Sequence, residues 1–277
     1  MPHIAWALTA GHNVVLLGER AADFAAFKGY PNMANLRAFS DEARIELARD
    51  ALEATRREME RRDRVLHAAG LNAWHDLLQR EPGEAGPLLV VIDEFLALAT
   101  MGGTAVHRSM MQNVISLTSQ AGKFGIGLAL AATDPRREAL GALGYQAIKQ
   151  CSRMAFGFND RGSSRSVLGD DAAFNMPPGT FIFESMDGGR RRGMAFRPTT
   201  ADVQALLAAA SVARRDLPDA LREVAGRSDE ADVADVRSGD LDDDGDEEAV
   251  IRPTPAPANG IYATTEWPRR AEAPIDL

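Results

Sequence analysis

Residues 88–95 read Leu88-Leu89-Val90-Val91-Ile92-Asp93-Glu94-Phe95, five aliphatic side chains followed by two adjacent carboxylates. The run is too short for a buried helix and follows the turn residues Pro82-Gly83 and Gly86-Pro87. It predicts a strand covered on both faces, as in parallel sheets. Working outward, similar short apolar runs lie at 12–17, ending at Gly18, at 126–132 and at 153–158. Helical periods separate them. Ser40 offers an N-cap to a long helix with Ile45, Ala48, Leu52, Met59 and Leu66 on one stripe and Gly70 at its end. Glu53/Arg57, Glu58/Arg62 and Glu60/Arg64 are spaced as surface ion pairs on that helix. Further helices are predicted near 106–121, 137–149, 163–168 and 200–214, with a hairpin pairing 180–184 with 192–196. Strands alternating with helices make an α/β domain with a mainly parallel sheet over residues 1–226.

The chain has 277 residues, 45% hydrophobic and 26% charged, enough for a sizeable core. Its net charge of −9 is localised, because residues 227–250 hold eleven Asp/Glu against Arg227 and Arg237. Residues 1–226 are neutral, with 26 charges of each sign, so bulk charge neither favours nor excludes nucleic acid. The acidic run and the Pro253, Pro255 and Pro257 that follow it predict a disordered tail over 227–277. Tyr262 and Trp267 are read as part of a solvated tail or as a short docking peptide for an unknown partner. A single cysteine, Cys151, excludes an internal disulfide framework and favours a cytoplasmic setting. No run approaches 18 apolar residues, so no membrane segment is expected.

Chemistry concentrates at strand ends. Two acids at the tip of a buried strand resemble the Walker B position of a P-loop NTPase, which implies that the first, Asp93, would hold the Mg²⁺ shell through water and the second, Glu94, would polarise the water that attacks a γ-phosphate. Ligands of open α/β sheets bind beyond the carboxyl ends of the strands, which is where these acids fall. The plainer reading is that they end a strand and open a loop. Ala132-Thr133-Asp134-Pro135 closes the next apolar strand, where Thr133 and Asp134 serve either as a phosphate sensor or as an ordinary Thr-Asp-Pro turn.

In order, these segments resemble the FtsK/SpoIIIE family of DNA-translocating ATPases. Residues 89–95 resemble its Walker B strand, Gln120-Ala121-Gly122-Lys123-Phe124-Gly125-Ile126 its approach to the sensor strand, and Ala132-Thr133-Asp134-Pro135 its sensor turn. Arg153-Met154-Ala155-Phe156, Ser164-Arg165-Ser166-Val167-Leu168-Gly169 and Met176-Pro177-Pro178-Gly179 follow in the family's sequence, and Glu58-Met59-Glu60-Arg61-Arg62 resembles the helix ahead of Walker B. The likeness spans residues 12–207 and implies a RecA-like P-loop NTPase core, ATP and Mg²⁺ as cofactors, assembly into a homo-oligomeric ring, and double-stranded DNA in its pore.

The likeness has gaps. No segment fits Gly-x-x-x-x-Gly-Lys-Ser/Thr, the loop whose N–H groups and lysine hold phosphates, and the one Gly-Lys, Gly122-Lys123, precedes Phe124. The resemblance places that loop just ahead of Met1, so the motor reads as N-terminally truncated and should bind MgATP poorly alone. Glu19 stands for the family's acid after the first strand. Asp134 replaces a glutamine, a charge a phosphate would repel unless the carboxylate were protonated or metal-bound. Arg165 and Arg153 are candidates for an arginine acting on a neighbouring subunit's site, or for structural ion pairs. Lys123, Arg136, Arg137 and Lys149 flank the segments that by resemblance face DNA phosphates. Arg190-Arg191-Arg192 reads as a solvated hairpin tip. The alternatives are a silent adaptor subunit derived from such a motor, and a small-molecule α/β enzyme whose strand tips merely mimic Walker B.

Overall fold

The aliphatic run at 88–92 is a strand whose two faces are both covered. The computed structural model describes residues 2–18, 24, 26–27, 30, 32–37, 42–100, 105–195, 198–210, 216–228 and 261–264. The elements run α1 (Pro2–Thr9), β1 (Asn13–Gly18), β2 (Met33–Arg37), α2 (Glu42–Ala69), α3 (Trp74–Arg80), β3 (Leu88–Ile92), α4 (Phe95–Thr100) and α5 (Ala105–Gln120). After a 3₁₀ turn (Ala121–Phe124) come β4 (Ile126–Ala132), α6 (Arg137–Lys149), β5 (Ser152–Phe156), α7 (Arg161–Leu168), β6 (Thr180–Glu184), β7 (Arg190–Met194), α8 (Thr200–Ala209) and β8 (Ile261–Thr264).

The sheet order is β2-β1-β3-β4-β8-β5-β6-β7. The first four strands pair in parallel, with Val15 opposite Val90 and Val90 opposite Leu128, whereas every pairing from β4 to β7 is antiparallel. The expected mainly parallel sheet is thus a parallel half joined to an antiparallel half. In the parallel half successive side chains enter opposite cores: Val15, Leu17, Val90, Ile92, Leu128 and Leu130 meet residues of α2 to α6, while Val14, Leu16, Val91 and Ala129 meet α1 and α8. Since both sides of each strand are buried, the sequence shows uninterrupted aliphatics instead of alternation. A third cluster, from Ala155, Phe158, Val167, Leu168, Ala173 and Ile182, packs α7 on the antiparallel half.

Helix α2 buries Ala48, Leu52, Met59 and Leu66 as its periodicity predicts, and ends at Gly70 with φ +66°. Its ion pairs differ from the surface reading. Glu53–Arg57 is an exposed pair at 2.9 Å, but Glu60 pairs with Arg56, and Arg62 is fully buried, its Nε donating to Glu58 at 2.7 Å. The Arg62 guanidinium also donates to the Phe124 carbonyl at 2.9 Å and the Gly86 carbonyl at 2.9 Å, and lies 4.5 Å from the centre of the Trp74 ring. One side chain thereby ties α2 to the turns that launch β3 and β4. Gly125 is constrained there: its φ is +67°, and a Cβ would sit 2.8 Å from Trp74.

Two predicted boundaries shift. The hairpin pairs β6 with 190–194, so Arg190 belongs to a strand and pairs with Glu184 and Asp170 instead of capping a solvated tip. The last helix of the body ends at Ala209; a further helical segment over 219–228 returns Leu217, Leu221 and Val224 to the main core. Within the predicted tail over 227–277, residues 261–264 form β8 inside the sheet. Residues 229–260 and 265–277 of that predicted tail, and the proposed N-cap Ser40, lie outside the described residues.

Candidate functional site

Parallel register brings the tips of β1, β3 and β4 to one edge: Leu17 faces Ile92, and Ile92 faces Leu130. Three adjacent strands span only about 10 Å, so the groups immediately after them are neighbours. Asp93 and Glu94 follow β3 and are both half-buried. The Asp93 N–H donates to the Leu17 carbonyl at 2.8 Å, extending the ladder by one residue, and a Cβ built on Gly18 would lie 3.6 Å from the Asp93 Cβ. Glu94 leaves the sheet with φ 54°, a left-handed backbone that a residue with a Cβ adopts at a cost of about 1–2 kcal/mol. Its carbonyl then accepts from the Ala97 N–H at 2.8 Å as α4 begins. This sharp exit turns the chain at the second carboxylate. Such backbone strain is concentrated at functional positions.

Thr133 is exposed at the tip of β4. Asp134 accepts from the Arg136 backbone N–H at 3.0 Å and from its Nε at 2.9 Å, and this guanidinium holds the carboxyl below the usual aspartate range. Asp134 is therefore ionised and neutralised by an ion pair, a route other than protonation or metal binding. The same pairing commits Arg136, one of the four candidate DNA-facing cations, to its own loop. Next to it Asp160 caps α7, accepting from the Ser163 N–H at 2.7 Å, and a Cβ on Gly162 would lie 3.9 Å from the Arg136 side chain. Sequence reasoning missed Asp160; its spacing from Ser163 at the start of an amphipathic turn is the N-cap signal that would have found it.

The remaining candidates separate. Arg165 of α7 is exposed and grips Asp171 through two bonds of 2.6 and 3.0 Å. Arg153 lies near the start of β5, level with Leu130 across β8 and hence with Ile92, so it stands at nearly the same height in the sheet as Asp93 but three strand spacings away from β3. It pairs with Glu184, its register partner on β6, as Arg190 also does. Lys123, just before β4, and Lys149, at the end of α6, stand at the amino edge, leaning on the rings of Phe124 and Tyr145 at 4.6 and 5.2 Å. Arg136 and Arg137 stand at the carboxyl edge, a full length of α6 away. Glu19 lies outside the described residues.

Metal and cofactor capacity can be judged from the residues present. Among the described residues no cluster of three or more His, Cys, Asp or Glu side chains could cage a metal. Asp93 and Glu94 suit Mg²⁺ in the way that ion is commonly held, by one or two carboxylates with waters and phosphates completing the shell. A triphosphate finds less. The Gly122-Lys123 pair precedes β4, on the edge opposite Asp93, and no other Gly-Lys exists in the 277 residues. Cys151 supplies no nucleophile, since burial pushes its thiol up to about 12.

No protein-family model matches the chain, and no curated protein matches it in sequence. Solved structures do. The conjugation coupling protein TcpA of pCW3, a monomer form with ATPγS, superposes with a TM-score of 0.56 at 17% identity over 70% of this chain and 54% of its own. The cytoplasmic domain of the type VII secretion ATPase EccC from Thermomonospora curvata gives 0.57 at 19% identity, over 76% of this chain and 26% of its own. EssC (ATPases 2 and 3) from Geobacillus thermodenitrificans gives 0.53 at 13% identity, over 80% and 38%. The chain shares its fold with these three ATPase structures. It spans about half the length of TcpA and a smaller share of the other two. Among the described residues no helix is long and apolar enough to cross a membrane.

Proposed function

We propose that this chain is part of an ATP-driven, cytoplasmic double-stranded DNA translocase of the FtsK/SpoIIIE type, contributing the metal- and water-handling side of its nucleotide site. One observation carries the reading: two half-buried carboxylates follow the central strand, the second on a left-handed backbone, beside Gly18 and the Thr133 turn. Asp93 would hold Mg²⁺ through its waters, and Glu94 would orient and polarise the attacking water. Bound ATP with Mg²⁺ supplies the phosphoryl group and its charge neutralisation. Residues 1–277 contain no phosphate-cradling loop of the Gly-x-x-x-x-Gly-Lys-Ser/Thr pattern, so this chain alone should bind MgATP weakly.

In a homo-oligomeric ring the exposed Arg165 is better placed than Arg153 to serve a neighbour's site. Its bond to Asp171 is a solvent-exposed ion pair, which a phosphate could replace, whereas Arg153 is half-buried and held by Glu184. The Asp134–Arg136 pair at the sensor turn favours a second reading, a catalytically silent adaptor that keeps the motor fold.

The test uses the chain extended at its amino end by a Gly-x-x-x-x-Gly-Lys-Ser/Thr strand-loop-helix segment. Fluorescent ATP should bind it and not the unextended chain, and Glu94→Gln should leave that binding near normal while abolishing hydrolysis. Undiminished turnover in Glu94→Gln would remove Glu94 from the mechanism. A ring without ATPase activity in the extended chain would establish the adaptor.

A further inference from the structure

Strands β4 and β5 are consecutive in the body and parallel to each other, yet they do not pair. Two strand spacings, about 10 Å, separate them. The gap is filled from the far end of the chain. Ile261, Tyr262, Ala263 and Thr264 lie opposite Ala132, Ala131, Leu130 and Ala129 on one side, and Ala155, Met154, Arg153 and Ser152 on the other. Among the described residues no other strand hydrogen-bonds the parallel half to the antiparallel half, whose cores are separate clusters.

We propose that the β4–β5 gap is a strand-docking slot and that residues 261–264 are its exchangeable occupant, inserted from the same chain. Three features support this. Strand β4 reads Ile126-Gly127-Leu128-Ala129-Leu130-Ala131-Ala132, with no charge, proline or bulge. Left as an edge, it would be a ready template for pairing with other chains, a hazard that proteins ordinarily blunt or cover. Ile-Tyr-Ala-Thr is rich in β-branched and aromatic residues that favour a strand. The 32 residues of 229–260 can span up to about 100 Å, more than enough to reach the slot from 228. Recognition by added-strand pairing draws on main-chain bonds and is tolerant of which extended segment supplies them. A four-residue insert on a long tether is thus replaceable by another segment in a way the body strands are not. Because Ile261 faces Ala132, the residue before Thr133, occupancy of the slot also braces the tip of β4. The proposal does not depend on whether the edge turns over ATP.

Hydrogen exchange on the full chain tests it. Ala263→Pro deletes a ladder donor in the centre of the insert. Amides of β4 and β5 should then exchange at least about tenfold faster, with β1 and β3 unchanged, as expected for loss of a local unit. A labelled peptide of residues 258–267 should bind Ala263→Pro and restore that protection. It should bind the wild-type chain at least about 100-fold more weakly, because the tethered strand competes at high effective concentration. Unchanged protection of β4 and β5, or equal peptide binding by both proteins, would overturn the proposal even if the variant were globally less stable. A wild-type dimer that Ala263→Pro converts to a monomer would assign the insert to a second copy and overturn its intrachain origin.

Discussion

At Glu94, chemistry and backbone conformation oppose each other. A carboxylate is held at φ 54°, where glycine is the unstrained choice. Glu94→Gly should therefore raise the unfolding free energy by about 1 kcal/mol, seen as a higher denaturant midpoint at unchanged slope. If Glu94 acts on water, the same substitution should abolish hydrolysis in any form that binds ATP. A stability loss on Glu94→Gly would show that its side-chain contacts outweigh the backbone strain. The pairing of the two acids is legible in the sequence, but the left-handed turn is not, because Asp-Glu-Phe carries no glycine or asparagine to announce it. Asp134 illustrates the reverse: its charge is plain in the sequence, and its neutralisation by Arg136 two residues on needed the geometry of the turn.

Among the elements, α2 depends on a buried charge. Removing the guanidinium with Arg62→Ala leaves the buried Glu58 carboxylate to Arg61 alone and strands two turn carbonyls, and should cost on the order of 3 kcal/mol in denaturant unfolding. The paired change Glu58→Leu with Arg62→Met should cost less, since no buried carboxylate is left with a lost partner. The pair also has a pH signature. Burial pushes the Glu58 carboxyl up, but Arg61 and Arg62 pull it down further, so its value falls below the ordinary one. A lowered folded value means that this contribution is complete above the unfolded carboxylate range, near pH 4, and is lost as pH falls through the folded value. The steepness of acid destabilisation should diminish in Glu58→Gln. The i,i+4 spacing predicts that Glu58 and Arg62 meet; only the approach of Trp74 and the turns before β3 and β4 puts them out of water.

For the whole molecule, the four candidate DNA-facing cations do not form one patch. Lys123 and Lys149 stand at the amino edge, Arg136 and Arg137 at the carboxyl edge, and the body carries no net charge. If a single chain binds duplex DNA through either pair, two phosphate contacts give a log–log salt slope of about −2. A slope near −4 from filter binding or anisotropy would require all four cations on one surface and refute this placement. The apolar runs at 14–17, 88–92 and 126–132 carry the α/β class, because a strand buried on both faces has no polar side to show. The helix stripe of α2 and the acids after β3 are equally local, set by residues within one or two turns of each other. The membership of β8 in the sheet, the burial of Arg62 and the division of the basic residues between two edges are not local. They depend on which backbone edges and loops meet across the fold, and hydrogen bonds between main-chain groups leave little trace in side-chain identity.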